Sequence, residues 1–229
     1  MSGIYRVYPK SRRNFLSGLS VNTNIILLNV VAYIVFSLLL YLEILPIDSI
    51  AIKPSNILGG KFLWTFLTSM FMHAGLIHLF VNMFSLFFIG GLVQRILGPK
   101  RYLYFYLIAG LFAALFFVLG GVIFPEDFEA YAVGASGALF GLVGLLVLLT
   151  PNLPVYLMFI PIPIKMKYAG PGILIVLWLI SQAPVVFGGQ RISIGNTAHL
   201  GGFVIGLIYG LYLKSHYKNK IRMIGKHFS

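Results

Sequence analysis

The sequence contains no cysteine, and only five of its 229 residues are acidic: Glu43, Asp48, Glu126, Asp127 and Glu129. The missing thiols exclude disulfide frameworks, cysteine-based zinc sites, iron–sulfur ligation and cysteine nucleophiles together. Charged residues make up 10% of the chain and hydrophobic residues 59%, with a mean hydropathy of +0.94. Soluble domains are about 25% charged and about 45–50% apolar, so this composition excludes both a water-soluble globule and a disordered chain. It is the composition of an integral membrane protein.

A helix needs about 20 mostly apolar residues to cross about 30 Å of hydrocarbon. Six segments qualify, at 24–42, 75–93, 102–124, 132–149, 172–187 and 197–213. The first follows basic residues Arg6 to Arg13, as a signal sequence would, but its end lacks a small-residue cleavage pattern and reads as a retained helix. With both termini in the cytoplasm, 14 of the 17 cations fall inside; Lys53, Lys61 and Arg191 fall outside, together with all five acids. That asymmetry matches the positive-inside rule. The net charge of +12 is therefore read as topology next to anionic lipid rather than as affinity for nucleic acid.

The expected fold class is an all-α integral membrane protein: a basic segment 1–23, a six-helix core 24–213 and a basic tail 214–229, with both termini cytoplasmic and the chain placed in the cell membrane. Two connections stand out. Residues 43–74 carry apolar clusters and Trp64 and are expected to lie in the interface as a partly helical hairpin. Residues 151–171 hold five prolines and are expected to be too broken for a helix, lying along the inner surface.

The spans lack acidic and basic side chains, which removes an aspartyl protease pair, an HExxH zinc site and an acidic proton relay. What remains is His73, just before the second span, with His78, Asn82, Ser136 and His199, the last four delivered by three helices to one layer within ~10 Å of the outer boundary. His78 and Asn82 are four residues apart and share a helix face, whereas His73 and His78 are turned about 140° from one another. That spacing argues against a paired-histidine metal site, and neither a metal nor a cofactor enters the reading.

Glycines explain how these helices can meet. Ser136 sits in Gly134-Ala135-Ser136-Gly137, followed by Gly141 and Gly144, while His199 is followed by Gly202, Gly206 and Gly210. Small residues in such register let helix backbones approach closely in lipid. Ser136 is then a candidate nucleophile and His199 its general base, a dyad because no carboxylate is near. The His78 ring N–H, the Asn82 amide and the Ser136 backbone N–H are candidate donors to an oxyanion. Each residue alone has an ordinary packing role; it is their joint placement at one depth that favours chemistry. Two other readings stand beside the enzyme: a non-catalytic membrane-protein binder or quality-control factor, and a transporter or channel with the polar cluster as a pore constriction, where for a transporter an intramembrane charge or inverted repeats would be expected.

These residues resemble the motifs of the rhomboid family of intramembrane serine proteases. His73-Ala-Gly-Leu-Ile-His78-Leu-Phe-Val-Asn82 resembles the family's second-helix motif, Gly134-Ala135-Ser136-Gly137 its GxSG, and Ala198-His199 with Gly202 and Gly206 its AHxxGxxxG. The resemblance implies a six-helix core, Ser136 as nucleophile, His199 as base, an oxyanion site at His78 and Asn82, and a structural role for His73. It also implies single-pass transmembrane substrates cleaved near their outer end, with helix-weakening residues at the cleavage site. Departures are Thr65 after Trp64 where an arginine is common, Gln94 where many members have glutamate, and Phe140 where tyrosine is frequent. Inactive relatives usually lack the serine or the histidine, and this chain has both. The fifth helix and the loop from Pro184 to Asn196 are the expected movable gate and cap.

Overall fold

The computed structural model describes residues 18–156, 162–186 and 195–219, together with 221 and 223. Its core is helical. Helix α1 (Val21–Tyr41) starts at Ser20, whose side chain accepts from the Thr23 N–H and caps the first turn. Only Asn22, Ile25 and Asn29 of α1 are buried. Its remaining apolar residues, among them Leu28, Val31, Ile34 and Leu38, face outward, as suits a helix whose solvent is lipid.

The connection from Glu43 to Ala74 is built from short pieces: a 3-10 turn at Ile47–Ser49, α2 (Pro54–Leu58) and α3 (Thr65–Thr68). The partly helical character expected of it is present. The chain then enters α4 (Leu76–Ser85), which runs through a π-helical turn (Leu86–Gly90) into α5 (Gly91–Leu97), giving one rod from Leu76 to Leu97. Gly98, at φ 82, reverses the chain in a single residue, a conformation that favours glycine. Pro99 opens α6 (Pro99–Ile123), whose Tyr102, Tyr106 and Phe117 are fully buried.

After a 3-10 turn at Pro125–Asp127 comes α7 (Ser136–Leu149), in which all but three of 14 residues are buried. A helix apolar on every side belongs at the centre of a bundle. At about 1.5 Å per residue it is only about 21 Å long, because residues 132–135 descend as a bridge at Ala132 and a turn through Gly134 and Ala135 rather than as the first helical turn expected from the sequence. Ile52 and Ala132 hold that descent by a two-hydrogen-bond bridge, 3.1 and 2.9 Å. A two-residue hairpin, β1 (Pro154–Val155) with β2 (Ile164–Lys165), precedes α8 (Met166–Val186) and α9 (Asn196–His216).

Helix α8 begins six residues before the expected Gly172 and includes Pro171, which corrects the expectation that prolines break the segment throughout. Near a helix start, proline removes one hydrogen bond, and neighbouring helices help offset that loss. Here Gly170 sits against Val143, Val147 and Phe203, and Ala169 beside it is buried. Pro184 likewise lies inside the α8 backbone rather than in a loop. Residues 187–194 of the expected cap, and the sequence beyond 223, lie outside the described residues.

Among the described residues, three helices are long and apolar enough to cross a membrane: Val21–Tyr41, Leu76–Leu97 and Pro99–Ile123. The others pack around them through glycine. A β-carbon at Gly202 of α9 would lie 2.0 Å from the Gly137 carbonyl oxygen of α7, and one at Gly206 2.2 Å from that of Gly141. Contacts this close admit hydrogen only, so the α7 and α9 backbones touch directly. The Gly141 and Gly137 faces also meet Ala109 and Ala113 of α6.

Candidate active site

Ser136 is the first residue of α7, and the turn before it is held from outside the helix. Gly134 has φ 124, its N–H donates to the Ser69 carbonyl at 2.8 Å, and the Ala135 N–H faces His73 Nε2 at 3.5 Å. Ser69 and His73 are themselves buried. A side chain at position 134 would be excluded twice, by the backbone angle and by the His78 ring, whose Nε2 lies 3.0 Å from where a β-carbon would stand.

His199 lies in the first turn of α9 and is buried. Its Nε2 is 2.8 Å from Ser136 Oγ, the distance of a formed hydrogen bond. For Nε2 to accept the serine proton the ring must carry its own proton on Nδ1, and Nδ1 has no hydrogen-bond partner among the described residues. What holds the ring is an aromatic face: Phe140, one turn after Ser136, lies over it at 4.6 Å between centroids with planes 32° apart. The expected dyad atoms therefore meet, oriented by packing rather than by a carboxylate.

His78 stands at the start of α4. Its Nδ1 accepts from the Ala74 N–H at 3.3 Å, which leaves the hydrogen of a neutral ring on Nε2, the atom directed at Gly134 beside Ser136. Asn82, one turn on, is buried; its Nδ2 donates to the His78 carbonyl at 2.8 Å. A primary amide has two hydrogens, so one remains for a ligand. His73 does not face Ser136. It meets His78 edge-on at 5.2 Å and Tyr33 at 6.5 Å, as a buttress behind the site.

Ser136, His199, His78 and Asn82 border one cavity of about 520 Å³. Val81 and Ser85 of α4 wall one side and Leu177 of α8 another, so the cavity lies between these two helices. Gly137, named for its place in the motif, lines it too, while Gly202 works at the seam behind.

The loops around residues 48–56 and 129–131 form a clamp that sequence reasoning missed. Lys53 pairs with Glu129 at 2.6 Å, and Ser55 Oγ donates to the same carboxylate at 3.1 Å. Asn56 and Tyr131 both donate to Asp48, at 2.5 and 2.9 Å. The Asn56 amide, with Tyr131 and the Lys53 charge, holds the Asp48 carboxyl below its ordinary range. The Lys53 ammonium lowers Glu129 and is itself raised by it. The clamp joins the 43–74 connection to the strand leading into Ser136. Only the concentration of acids in two loops hinted at it.

The departures from the family pattern are also accounted for. Where an arginine is common, Thr65 is buried and bonds the Phe62 carbonyl; the loop is fastened instead by Trp64 Nε1 to Ser49 O (2.8 Å) and Thr68 Oγ1 to Ile50 O (2.9 Å). Gln94 Oε1 accepts the Asn22 N–H at 2.7 Å, a partner the sequence did not suggest.

Residues 61–216, well over half of the chain, match the Rhomboid domain family. The chain is 33% identical to RHOMBOID-like protein 7 of Arabidopsis thaliana over 72% of its own length and 48% of the relative's. It is 31% identical to a Bacillus subtilis (strain 168) protein named "Putative rhomboid protease YdcA", over 58% of this chain and 63% of that one. Among its relatives is also "Inactive RHOMBOID-like protein 8" of Arabidopsis thaliana, 32% identical over 62% of this chain and 36% of that protein. The match thus spans about half or less of the Arabidopsis relatives.

Proposed function

The chain belongs to the rhomboid family, and on that premise we propose that it is an intramembrane serine endopeptidase working through a Ser136–His199 dyad. The observation that carries the reading is the 2.8 Å contact between Ser136 Oγ and His199 Nε2 at the edge of a cavity. As a member of the family with apolar spans it is a multi-pass integral membrane protein. Six spans, cytoplasmic termini and residence in the cell membrane belong to the proposal and rest on the charge asymmetry of the sequence.

In the first step His199 Nε2 takes the Ser136 proton as Oγ attacks the scissile carbonyl. The negative oxygen of the tetrahedral intermediate is received by His78 Nε2–H, the second Asn82 amide hydrogen and the Ser136 N–H, each such donor contributing roughly 3–4 kcal/mol in comparable sites. The imidazolium then protonates the leaving amine, giving an acyl-enzyme at Ser136 Oγ. A water deprotonated by His199 releases the acyl group by the reverse sequence. A helix has no free carbonyl to offer, so the substrate is a single-pass transmembrane protein that unwinds locally, aided by Gly or Pro.

The test is cleavage of a transmembrane test substrate by the purified protein in detergent. Ser136→Ala and His199→Ala are expected to lower kcat by at least about 10⁴-fold with the thermal transition retained, and a fluorophosphonate is expected to label Ser136 only. Cleavage surviving in either variant overturns the dyad. The rate should also fall at acidic pH once the imidazole becomes protonated, because an imidazolium cannot accept the serine proton; a rate that stays constant down to acidic pH would count against general-base catalysis. A non-catalytic binder, the second reading, is raised by the relative named inactive and predicts no labelling.

A further inference from the structure

The rod from Leu76 to Leu97 is interrupted by the π turn Leu86–Gly90. Such a turn holds one residue more than the α-helical ladder and releases a carbonyl from its usual partner. At about 100° per residue, the extra residue rotates everything beyond it by about 100° relative to an unbroken helix. Before the turn stand His78 and Asn82, both at the cavity; Gly90 closes the turn and Val93 beyond it is buried in the bundle. The turn therefore sets the direction in which the two candidate oxyanion donors point.

Asn22, at the start of α1, is built into that turn. Its Nδ2 donates to the Leu86 carbonyl at 2.9 Å, its Oδ1 accepts from Tyr102 Oη at 2.5 Å, and its N–H reaches Gln94 Oε1 at 2.7 Å. A β-carbon on Gly90 would lie 2.3 Å from Asn22 Oδ1 and 2.7 Å from the Tyr102 oxygen, so the turn's glycine makes the space the amide occupies. Asn22 is also one of only three buried residues in α1. One side chain thus fastens α1, the π turn and α6 together.

We propose that Asn22 is a positioning residue for the reaction: by capturing the Leu86 carbonyl it keeps the π turn in place and so holds His78 and Asn82 in the azimuth the oxyanion requires. The inference rests on the protease reading. It predicts a defect in transition-state stabilisation, not in substrate docking, because Asn22 lies outside the cavity lining.

The experiment compares Tyr102→Phe, Asn22→Ala and the double variant Asn22→Leu/Tyr102→Phe in the full chain. The double variant removes both members of the polar pair, so no tyrosine hydroxyl is left buried without a partner, yet Leu86 still loses its donor. Expected are wild-type kcat within about twofold for Tyr102→Phe, and a kcat lowered by about 10–100-fold with KM within about twofold for both Asn22 variants, the scale on which small misplacements act. Asn22→Ala and the double variant fail folding differently, so whichever keeps the wild-type thermal transition carries the comparison. Wild-type kcat in such a folded Asn22 variant overturns the proposal, as does an equal loss in Tyr102→Phe. If neither folds, Asn22 is shown to be required for the fold itself and its positioning role is rejected. A wild-type chain that neither cleaves nor takes the fluorophosphonate instead overturns the protease reading.

Discussion

Helices α7 and α1 are joined to the rest of the molecule in opposite ways. Helix α7 is buried on all sides and meets α9 backbone to backbone, Gly202 against Gly137 and Gly206 against Gly141. Helix α1 is seven residues longer, yet buries only Asn22, Ile25 and Asn29 and turns its apolar side chains outward. In lipid, apolar surface alone does not drive helices together, so contact must come from close packing or from hydrogen bonds. The seam between α7 and α9 uses the first and carries Ser136 and His199; α1 uses the second, through the Asn22 knot. The proposed dyad sits where the backbone itself fixes the distance.

The largest effect expected from breaking the seam is at Gly202. In Gly202→Ala the new methyl meets the Gly137 carbonyl, backbone that cannot rotate away, and overpacking of this kind costs about 1–3 kcal/mol. Separation of α7 from α9 should lower kcat by about 100-fold or more, read by cleavage rate, with a lower thermal midpoint. A wild-type rate there would show that α9 can shift without cost to the dyad.

Next is the ring over His199. Phe140→Ala removes a contact worth about 0.5–1.5 kcal/mol and should lower kcat up to about tenfold, whereas Phe140→Tyr should stay within about twofold. Equal losses would point to volume rather than stacking.

A smaller effect is expected at the loop clamp, whose Asp48 and Lys53 are only half-buried and whose Glu129 is exposed. Asp48 and Glu129 are held below the ordinary carboxylate pKa, so their contribution is complete above about pH 4 and fades as pH falls through the lowered values. Lys53 is raised, so its contribution is complete below about pH 10.4 and fades only as pH rises beyond it. Thermal midpoints at pH 3 and pH 7 should differ less in Asp48→Asn than in wild type. The smallest effect is expected on the outward face of α1: Val31→Ala should change stability by no more than about 0.5 kcal/mol and leave the rate unchanged.

Much of the site was legible because its signals are local or periodic. The GxSG around Ser136, the four-residue glycine spacing after His199 and the His78–Asn82 pair each state their geometry within one helix. What was not legible depends on partners far along the chain. The helix start expected at 132 lies four residues before that of α7 because Ala132 to Ala135 are as apolar as a helix; it is Ile52, Ser69 and His73 that hold them in a bridge and a turn instead. Pro171 read as a breaker because proline is usually one, until packing around Gly170 is seen. Asn22, isolated near the N-terminus of a long apolar run, carried no sequence signal of its partners at 86, 94 and 102.

By itself, then, the sequence determined the solvent, the family and the candidate chemistry: the scarcity of acids excludes whole reaction classes, and apolar length and glycine period are properties of neighbouring residues. Only the tertiary structure decided the distance from Ser136 to His199, the partner of His78 Nδ1 and the π turn within the Leu76–Leu97 rod. Those depend on which carbonyl or ring lies opposite across the bundle, a relation between residues that no spacing along one chain segment encodes.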